Sequence, residues 1–293
     1  MTFPPFFATL RPMFTLPPFN SIAYTTLLLS LALPVAVGVI CLLCVIFYKW
    51  WLALAIGFIY LGIIYAPYYM PIPKKSENTF RLISSNVRIH KTDVSRQAAY
   101  LKTLDADIVG LVEVSDAWQQ ELPALKSNFP HIIITEQGQR VGRITYGDRF
   151  MVLSKWPVTH VKNIQNAAGL YHIEAPQPFY FLLVHPMGPL TKRMDNERIA
   201  WYENIVKEDL PTPLVVAGDF NAVPWDTSLI NMVKRHSLTY ASHWLPTYRT
   251  DVPAVPIDHV FYTDGLSPTR TQRINLPTTD HFSMLADFEM RSQ

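Results

Sequence analysis

The sequence predicts an α/β domain that follows two apolar segments long enough to cross a membrane. The first observation is charge: the part of the chain before Glu77 contains no acidic residue, and its only basic residues are Arg11, Lys49, Lys74 and Lys75. The second is that two long uncharged stretches fill most of this part. The third is that short apolar runs of strand length alternate with helical patterns after Ser76, as in layered α/β folds.

The two uncharged stretches run from Ile22 to Tyr48 and from Trp50 to Tyr69, which gives 27 and 20 residues. A bilayer core of roughly 30 Å requires about 20 apolar residues at about 1.5 Å per residue. Both stretches meet that length, so we predict two membrane-spanning helices that form a tight hairpin around Lys49. A cleaved signal peptide followed by a buried helix is the weaker alternative, because the apolar region of a signal peptide is shorter.

These features predict four regions. Residues 1–20 are an apolar, proline-rich segment, 21–70 hold the two transmembrane helices, 71–79 are a linker, and 80–293 form the globular domain. In a hairpin, Arg11, Lys74 and Lys75 lie on one side of the membrane and Lys49 on the other. This margin of two charges favours a cytoplasmic domain on an inner or plasma membrane, with a periplasmic or extracellular position as the alternative.

Within the globular domain, helices are predicted where apolar residues recur at helical spacing and strands where apolar runs are short. The helices are 94–104, capped by Thr92 or Asp93, then 115–126, 196–208 and 225–236. The strands are 82–89, 107–114, 132–135, 150–154, 171–174, 179–185, 214–217, 257–262, 270–275 and 282–290. A proline-containing turn between the strands 171–174 and 179–185 predicts that these two pair antiparallel.

Polar clusters follow several of these strands, where layered folds place their functional groups. In chain order they contain Asn86, Glu113, His185, the run Gly218-Asp219-Phe220-Asn221, Asp258 and the pair Asp280-His281. Taken singly, each has an ordinary structural explanation, such as a turn former or a core histidine. Their occurrence together and in this order predicts one active site.

The ordered set resembles the endonuclease/exonuclease/phosphatase superfamily, which includes deoxyribonucleases, abasic-site endonucleases, sphingomyelinases and inositol-phosphate phosphatases. The resemblance covers about Phe80 to Glu289, and its most specific pieces are Gly218-Asp219-Phe220-Asn221 and Asp280-His281. It implies a four-layer sandwich in which two mixed sheets pack face to face with helices outside.

The resemblance also implies a role for each position. Glu113 would be the main carboxylate ligand of a metal, with Asn86 beside it and Asp280 as a further carboxylate. Asp219 would position or deprotonate the attacking water, and Asn221 would hold a phosphate oxygen. His281 would contact the scissile phosphate, oriented by Asp258. His185 would match the histidine of deoxyribonuclease- and sphingomyelinase-like members.

Further substrate contacts are weaker predictions. Arg149 or Arg143 could bind phosphate, although a solvated basic loop is an equally good explanation. Trp225 could shape the pocket, although a tryptophan at a helix start more often packs in a core. Tyr146 does not align clearly with a tyrosine of the family. His259 is expected to pack or to hydrogen-bond locally.

The predicted chemistry is hydrolysis of a phosphoester. Attack on an anionic phosphodiester requires a hard cation, a base for water and donors for developing charge. Oxygen ligands favour Mg²⁺, with Mn²⁺ as an alternative, and histidine-rich zinc spacing is absent from the sequence.

Three functions are compatible with these residues. A nuclease is the leading prediction, with Arg140, Arg143 and Arg149 as a local basic loop. However, the 21 Lys and Arg residues after Ser76 face 23 Asp and Glu residues, which is not the basic bias of tight nucleic-acid binders. The alternative is a phosphodiesterase for phospholipid, sphingomyelin or a small phosphoester at the membrane, and the third is an inactive scaffold. No obligate protein partner is predicted.

Overall fold

A computed structural model describes residues 35–47, 49–90, 93–136, 140–141, 144–145, 149–242, 244–248 and 255–290, with the backbone alone for 140–141 and 144–145. Strands between Thr79 and Met290 form two six-stranded mixed sheets that pack face to face. The predicted α/β class with two packed mixed sheets is therefore confirmed.

The first sheet has the strand order β13-β14-β1-β2-β6-β3. Its strands are β1 (Thr79–Asn86), β2 (Ile108–Val112), β3 (His131–Glu136), β6 (Arg149–Ser154), β13 (Leu266–Ile274) and β14 (Ser283–Met290). Strands β1 and β2 are parallel, whereas β14 runs antiparallel to β1. A two-stranded ribbon of β4 (Arg140–Val141) and β5 (Ile144–Thr145) lies between β3 and β6 in the chain.

The second sheet has the order β11-β12-β10-β9-β8-β7. Its strands are β7 (Val158–Ile164), β8 (Ala168–Ile173), β9 (Phe179–Val184), β10 (Leu214–Asp219), β11 (Thr239–Tyr240) and β12 (Asp258–Tyr262). Strands β9 and β10 are parallel, and β12 runs antiparallel to β10. The predicted antiparallel pair β8–β9 is confirmed.

Three apolar layers hold these elements together. The central one lies between the sheets and contains Leu82, Ile108, Phe181 and Val215. The outer face of the first sheet is covered by α3 (Val94–Leu101) and the short α4 (Leu122–Leu125), and that of the second sheet by α5 (Lys192–Ile205) and α6 (Thr227–Arg235). The order of layers is thus helix, sheet, sheet, helix.

Several predicted boundaries were wrong. Segment 115–126 is not one helix but a 3₁₀ turn at Asp116–Gln120 followed by α4, in which a proline stands in the first turn. Helix α5 begins four residues before its predicted start, because the Thr191 hydroxyl accepts a hydrogen bond from the Met194 amide at 3.2 Å and caps it. Strands β7 and β11 were not predicted: β7 alternates half-buried and exposed residues, and β11 has only two.

Two apolar helices precede the domain, α1 (Val35–Ile46) and α2 (Trp50–Tyr65). They are in contact, since the Cys41 thiol lies 3.4 Å from the Ala53 carbonyl oxygen. Among the described residues only the helical stretch Trp50–Tyr68 is long and apolar enough to cross a membrane. Residues 22–34 and Tyr48 of the first predicted span lie outside the described residues, so the two-span hairpin stays a prediction.

The strand directions create one functional edge. Strands β1 and β2 are parallel and end at Asn86 and Val112, and β9 and β10 are parallel and end at Val184 and Asp219. Strands β12 and β14 run the opposite way and therefore begin at that same edge. Polar residues distant in sequence are brought together there.

Candidate active site

An amide and two carboxylates link the two sheets at this edge. The Asn86 Nδ2 donates to Glu113 Oε1 at 2.9 Å and to Asp219 Oδ2 at 3.1 Å. Asn86 ends β1 of the first sheet, whereas Asp219 ends β10 of the second. The second Glu113 oxygen accepts from the Ile89 backbone amide at 3.1 Å. The predicted grouping of these three residues is therefore present in the structure.

The backbone at the strand ends is strained in a way that directs these side chains. Glu113 has φ = 59° and Asn221 has φ = 47°, both in the left-handed region that side chains other than glycine rarely adopt. Gly218 is required for a different reason, because a Cβ at this position would lie 2.0 Å from the Val184 carbonyl oxygen. Because Gly218 has no Cβ, β10 can approach β9, and this brings Asp219 to the edge.

A histidine–carboxylate pair lies beside Asp219. The Asp258 Oδ2 lies 2.9 Å from His281 Nδ1, and His281 Nε2 lies 3.8 Å from Asp219 Oδ2. All three residues are buried. Burial by itself would lower the pKa of His281, but the charges of Asp258 and Asp219 outweigh burial and raise it to about 10. The ring is therefore a cationic donor at neutral pH.

A second histidine approaches the carboxylates from β9. His185 Nε2 lies 3.5 Å from Glu113 Oε1 and 3.8 Å from Asp219 Oδ2. Its backbone amide donates to the Ala167 carbonyl oxygen at 2.7 Å, which fixes the position of the residue after the strand. The structure thus places His185 within the same cluster, as the sequence predicted.

The two carboxylates respond differently to burial. Burial raises the pKa of Asp219 to about 6, although the positive charge of His281 opposes the shift. Burial also acts to raise the pKa of Glu113, but His185 and the hydrogen bonds from Asn86 and Ile89 outweigh it and hold this pKa below its usual value. The pKa of Asp219 is therefore closer than that of Glu113 to the near-neutral value that a general base requires.

The donor set fits a divalent cation with oxygen ligands. Two buried carboxylates, Asp219 and Asp258, and the partly exposed carboxylate of Glu113 lie at one edge, and bringing like charges together is costly without a compensating cation. Asn86 also has an amide oxygen, which accepts from the Arg88 backbone amide at 2.9 Å while its Nδ2 faces Glu113. By spacing alone Asp219, Asp258 and His281 could also hold an ion, since their ligand atoms lie within 4.8 Å of one another. In that group His281 Nδ1 is bonded to Asp258, and Mg²⁺ takes oxygen ligands, which Glu113 and Asn86 can offer.

The remaining predicted site residues have other partners. Asp280 forms an ion pair with Arg88 at 3.6 Å and does not join the Asn86–Glu113–Asp219 group. The Asn221 side chain donates from Nδ2 to the Pro186 carbonyl oxygen at 2.9 Å, beside the loop that follows His185. Arg149 lies at the same edge of the sheet, but its guanidinium pairs with Asp116 and Glu136.

Trp225 lies in the turn between β10 and α6, and its buried indole nitrogen has no hydrogen-bond partner among the described residues. The side chains of Arg140, Arg143 and Tyr146 lie outside the described residues. The substrate contacts predicted for Arg149 and Trp225 stay predictions.

Supporting residues that the sequence did not single out also lie here. The Tyr248 ring lies 4.8 Å from the His281 ring, and Tyr248 pairs with His281 through a β-bridge. The Thr247 hydroxyl accepts from the backbone amides of Ile257 and Asp258, each at 3.1 Å. The Thr279 hydroxyl donates to the Asn86 carbonyl oxygen at 2.7 Å. Isolated threonines and tyrosines carry no sequence signal for such roles.

His259 packs and hydrogen-bonds within the fold, as predicted. Its Nε2 lies 2.8 Å from the Ala222 carbonyl oxygen, and its buried Nδ1 has no partner among the described residues. Burial lowers its pKa from 6.5 to about 4. His259 is therefore harder to protonate in the folded state than in the unfolded state. Its contribution to the free energy of unfolding is present above pH 6.5 and should be lost as the pH falls towards about 4.

We expect the free energy of unfolding to be smaller at about pH 5 than at about pH 7, with on the order of 2 kcal/mol attributable to His259. Urea unfolding of the detergent-solubilised chain, followed by tryptophan fluorescence, would measure the difference. His259→Gln, which keeps a side-chain N–H donor, should lose that part of the pH dependence. An unchanged pH dependence in the variant would contradict the assignment to His259.

One family model matches the part of the chain that contains these residues. The family model described as "Endonuclease/Exonuclease/phosphatase family" matches residues 83–281, which is more than half of the chain. The match begins in β1 and ends at His281, so it spans both sheets and all the residues of the cluster. No curated protein matched the sequence significantly.

Solved structures share the fold at low sequence identity. An endonuclease/exonuclease/phosphatase from Beutenbergia cavernae DSM 12333 is 17% identical, with a TM-score of 0.57 over 73% of this chain and 72% of that one. The endonuclease domain of TRAS1, a telomere-specific non-LTR retrotransposon, is 16% identical, with a TM-score of 0.54 over 73% and 100%. ANGEL2, a 2',3'-cyclic phosphatase, is 15% identical, with a TM-score of 0.53 over 75% and 99%.

Proposed function

We propose, since the chain belongs to the endonuclease/exonuclease/phosphatase family, that it hydrolyses a phosphoester bond with the help of a divalent cation. Members of this family are hydrolases that act on phosphoester bonds. The observation that carries the proposal is the contact of Asn86 with both Glu113 and Asp219 beside the His281–Asp258 pair. A catalytically inactive scaffold is disfavoured because each of these positions holds a chemically competent residue.

Each residue has a defined task in this proposal. Glu113 and Asn86 would hold Mg²⁺ or Mn²⁺, which would neutralise negative charge on the phosphate. Asp219 orients the attacking water and accepts its proton, for which a pKa of about 6 is well suited. His281 donates from Nε2 to the phosphate as negative charge develops.

The neighbouring residues support these tasks. Asp258 fixes the ring orientation of His281 and stabilises its positive charge. Asn221 keeps a second Nδ2 proton, beyond the one bonded to Pro186, for a phosphate oxygen. His185, within 4 Å of both Glu113 and Asp219, can interact with the negative charge of either carboxylate.

The cation is tested with a soluble diester. We expect the purified full chain to hydrolyse bis(p-nitrophenyl) phosphate in Mg²⁺ or Mn²⁺, to lose activity in EDTA and to regain it when the cation is restored. Glu113→Gln should raise the cation concentration needed for half-maximal activity by at least about tenfold, because one charged ligand is lost. Full activity in EDTA, or an unshifted cation requirement in Glu113→Gln, would refute this part of the proposal.

The nature of the natural substrate is a separate question. A nucleic acid was predicted partly from Arg140, Arg143 and Arg149, but the Arg149 guanidinium is paired with two carboxylates and offers less charge to a polyanion. The apolar stretch Trp50–Tyr68 has a mean hydropathy of 1.7 and supports anchoring to a membrane. These observations favour the alternative substrate, a phosphoester presented at a membrane.

A further inference from the structure

The last turn of α2 is fastened to the edge of the domain that carries the active site. Arg273 Nη2 donates to the Ile63 carbonyl oxygen at 2.7 Å, and the Tyr68 ring meets the Phe282 ring edge-on at 5.4 Å. Phe282 directly follows His281. Arg273 lies near the end of β13, which pairs with the start of β14. The helix end and the catalytic histidine are therefore neighbours on one edge.

The attachment continues beyond the helix. Ile64 is the one buried residue of α2, and Pro67 in the following turn is buried as well. The segment 71–79, predicted as a linker, then follows β13 away from the active-site edge and enters β1. Three side chains of the domain donate to backbone carbonyl oxygens of this segment: Gln272 to Pro71, Arg81 to Pro73 and Arg270 to Lys74. These contacts fix the helix end relative to the site.

Arg273 also connects the helix to an exposed tryptophan. Its Nη1 donates to the Pro246 carbonyl oxygen at 2.5 Å, and its guanidinium lies over the Phe282 ring at 5.4 Å. Two residues before Pro246 is Trp244, whose surface is 60% exposed. Two residues after Pro246 is Tyr248, whose ring contacts His281. The segment 244–248 therefore runs between the helix attachment and the active site.

Most of the exposed large apolar side chains of the domain lie at the same edge. Among the described residues from Pro71 onward, only Val161, Leu190 and Trp244 are large, apolar and exposed. Leu190, 83% exposed, lies in the loop that links His185 to α5, two residues after Gly188, which lies beside the Asn221 side chain. Two of the three thus lie on loops beside the site, whereas Val161 lies on β7 at the far side of the second sheet.

We propose that α2 stands in a bilayer and holds the active-site edge against the lipid headgroups, so that the substrate is the phosphoester of a membrane lipid. The stretch Trp50–Tyr68 has 19 residues. Because its end at Ile63–Tyr68 is attached to the domain, the residues Trp50–Gly62 would lie in the bilayer core, where about 1.5 Å per residue gives about 20 Å of its roughly 30 Å. Tryptophan is enriched where headgroups meet hydrocarbon, which is the level at which Trp244 would lie.

This proposal rests on the proposed phosphoesterase function for its substrate, but its geometry can be tested independently. The full chain with Cys41→Ser and Cys44→Ser has no other cysteine. Trp244→Cys in that background would carry a fluorescent label, with Val161→Cys as the matched control. Both proteins would be reconstituted in phosphatidylcholine nanodiscs containing doxyl-labelled lipid.

We expect the label at residue 244 to lose more than about half of its emission, because side chains at the interface reach about 5–10 Å into the headgroup region, while the label at residue 161 keeps its emission. Equal emission at the two positions would overturn the proposed orientation, whatever the activity of the protein.

The substrate is tested by a second pair of variants. Trp244→Ser and Leu190→Ser should each lower hydrolysis of phospholipid in vesicles by about tenfold, because burying one large apolar side chain changes partitioning by that order. Hydrolysis of bis(p-nitrophenyl) phosphate should be unchanged in both variants, and Val161→Ser should be normal on both substrates.

The outcomes separate the two proposals. Cleavage of plasmid DNA with intact vesicle lipid would overturn the lipid substrate and favour a nuclease. If the unmodified protein does not hydrolyse bis(p-nitrophenyl) phosphate, the phosphoesterase function is contradicted. Quenching at residue 244 would still support the orientation. Equal effects of Trp244→Ser on both substrates would refute its role at the lipid surface.

Discussion

Replacing Asp219 with asparagine is expected to lower kcat for phosphodiester hydrolysis by at least about a hundredfold, because general bases contribute factors of about 10² to 10⁴. Asparagine keeps the shape of the side chain but cannot accept a proton from water. The backbone amide of Asn221, which donates to Asp219 Oδ1 at 2.9 Å, can still donate to an asparagine oxygen. The fold of the strand end should therefore persist while catalysis fails.

Steady-state kinetics with bis(p-nitrophenyl) phosphate, together with circular dichroism, would measure this effect. Asp264→Asn is the matched control, since Asp264 is exposed just after the opposite end of β12. It should retain normal turnover. Retained activity in a folded Asp219→Asn protein would remove Asp219 from the mechanism.

Replacing His281 with alanine should produce a second large loss, about a hundredfold or more in kcat. The variant removes the imidazole that Asp258 orients towards Asp219 through a hydrogen bond of 2.9 Å. Asp258→Asn should cost less, because an asparagine oxygen can still accept from Nδ1 although it no longer stabilises the positive charge of the ring.

The ordering of these two losses is the informative result. His172→Ala, on β8, is the control histidine and should have little effect on kcat. A larger loss for Asp258→Asn than for His281→Ala would contradict the assignment of Asp258 as the positioning residue. It would favour instead a direct role for Asp258, such as ligation of the cation with Asp219.

The sequence by itself determined the layered fold and the candidate site residues. The run Gly218-Asp219-Phe220-Asn221 carried the family resemblance, so it was readable from the sequence, whereas the contact that requires Gly218, with the Val184 carbonyl oxygen, was not. Apolar patterns predicted α3 and β2, and the proline-containing turn predicted the β8–β9 pair, because each is set by residues close together in the chain. Segment 115–126 was mispredicted as one helix because a proline within it begins a new turn.

Only the tertiary structure decided which of the predicted residues meet. Asn86 and Asp219 lie 133 positions apart and make contact because β1 and β10 end at the same edge of two packed sheets. The same packing pairs Asp280 with Arg88 and Arg149 with Asp116, contacts that no local pattern encodes. The hydrogen bond from Arg273 to Ile63, across 210 positions, could not be predicted from the sequence either. Local sequence sets backbone preference and burial, whereas distances between sites depend on how strands are ordered and how sheets pack.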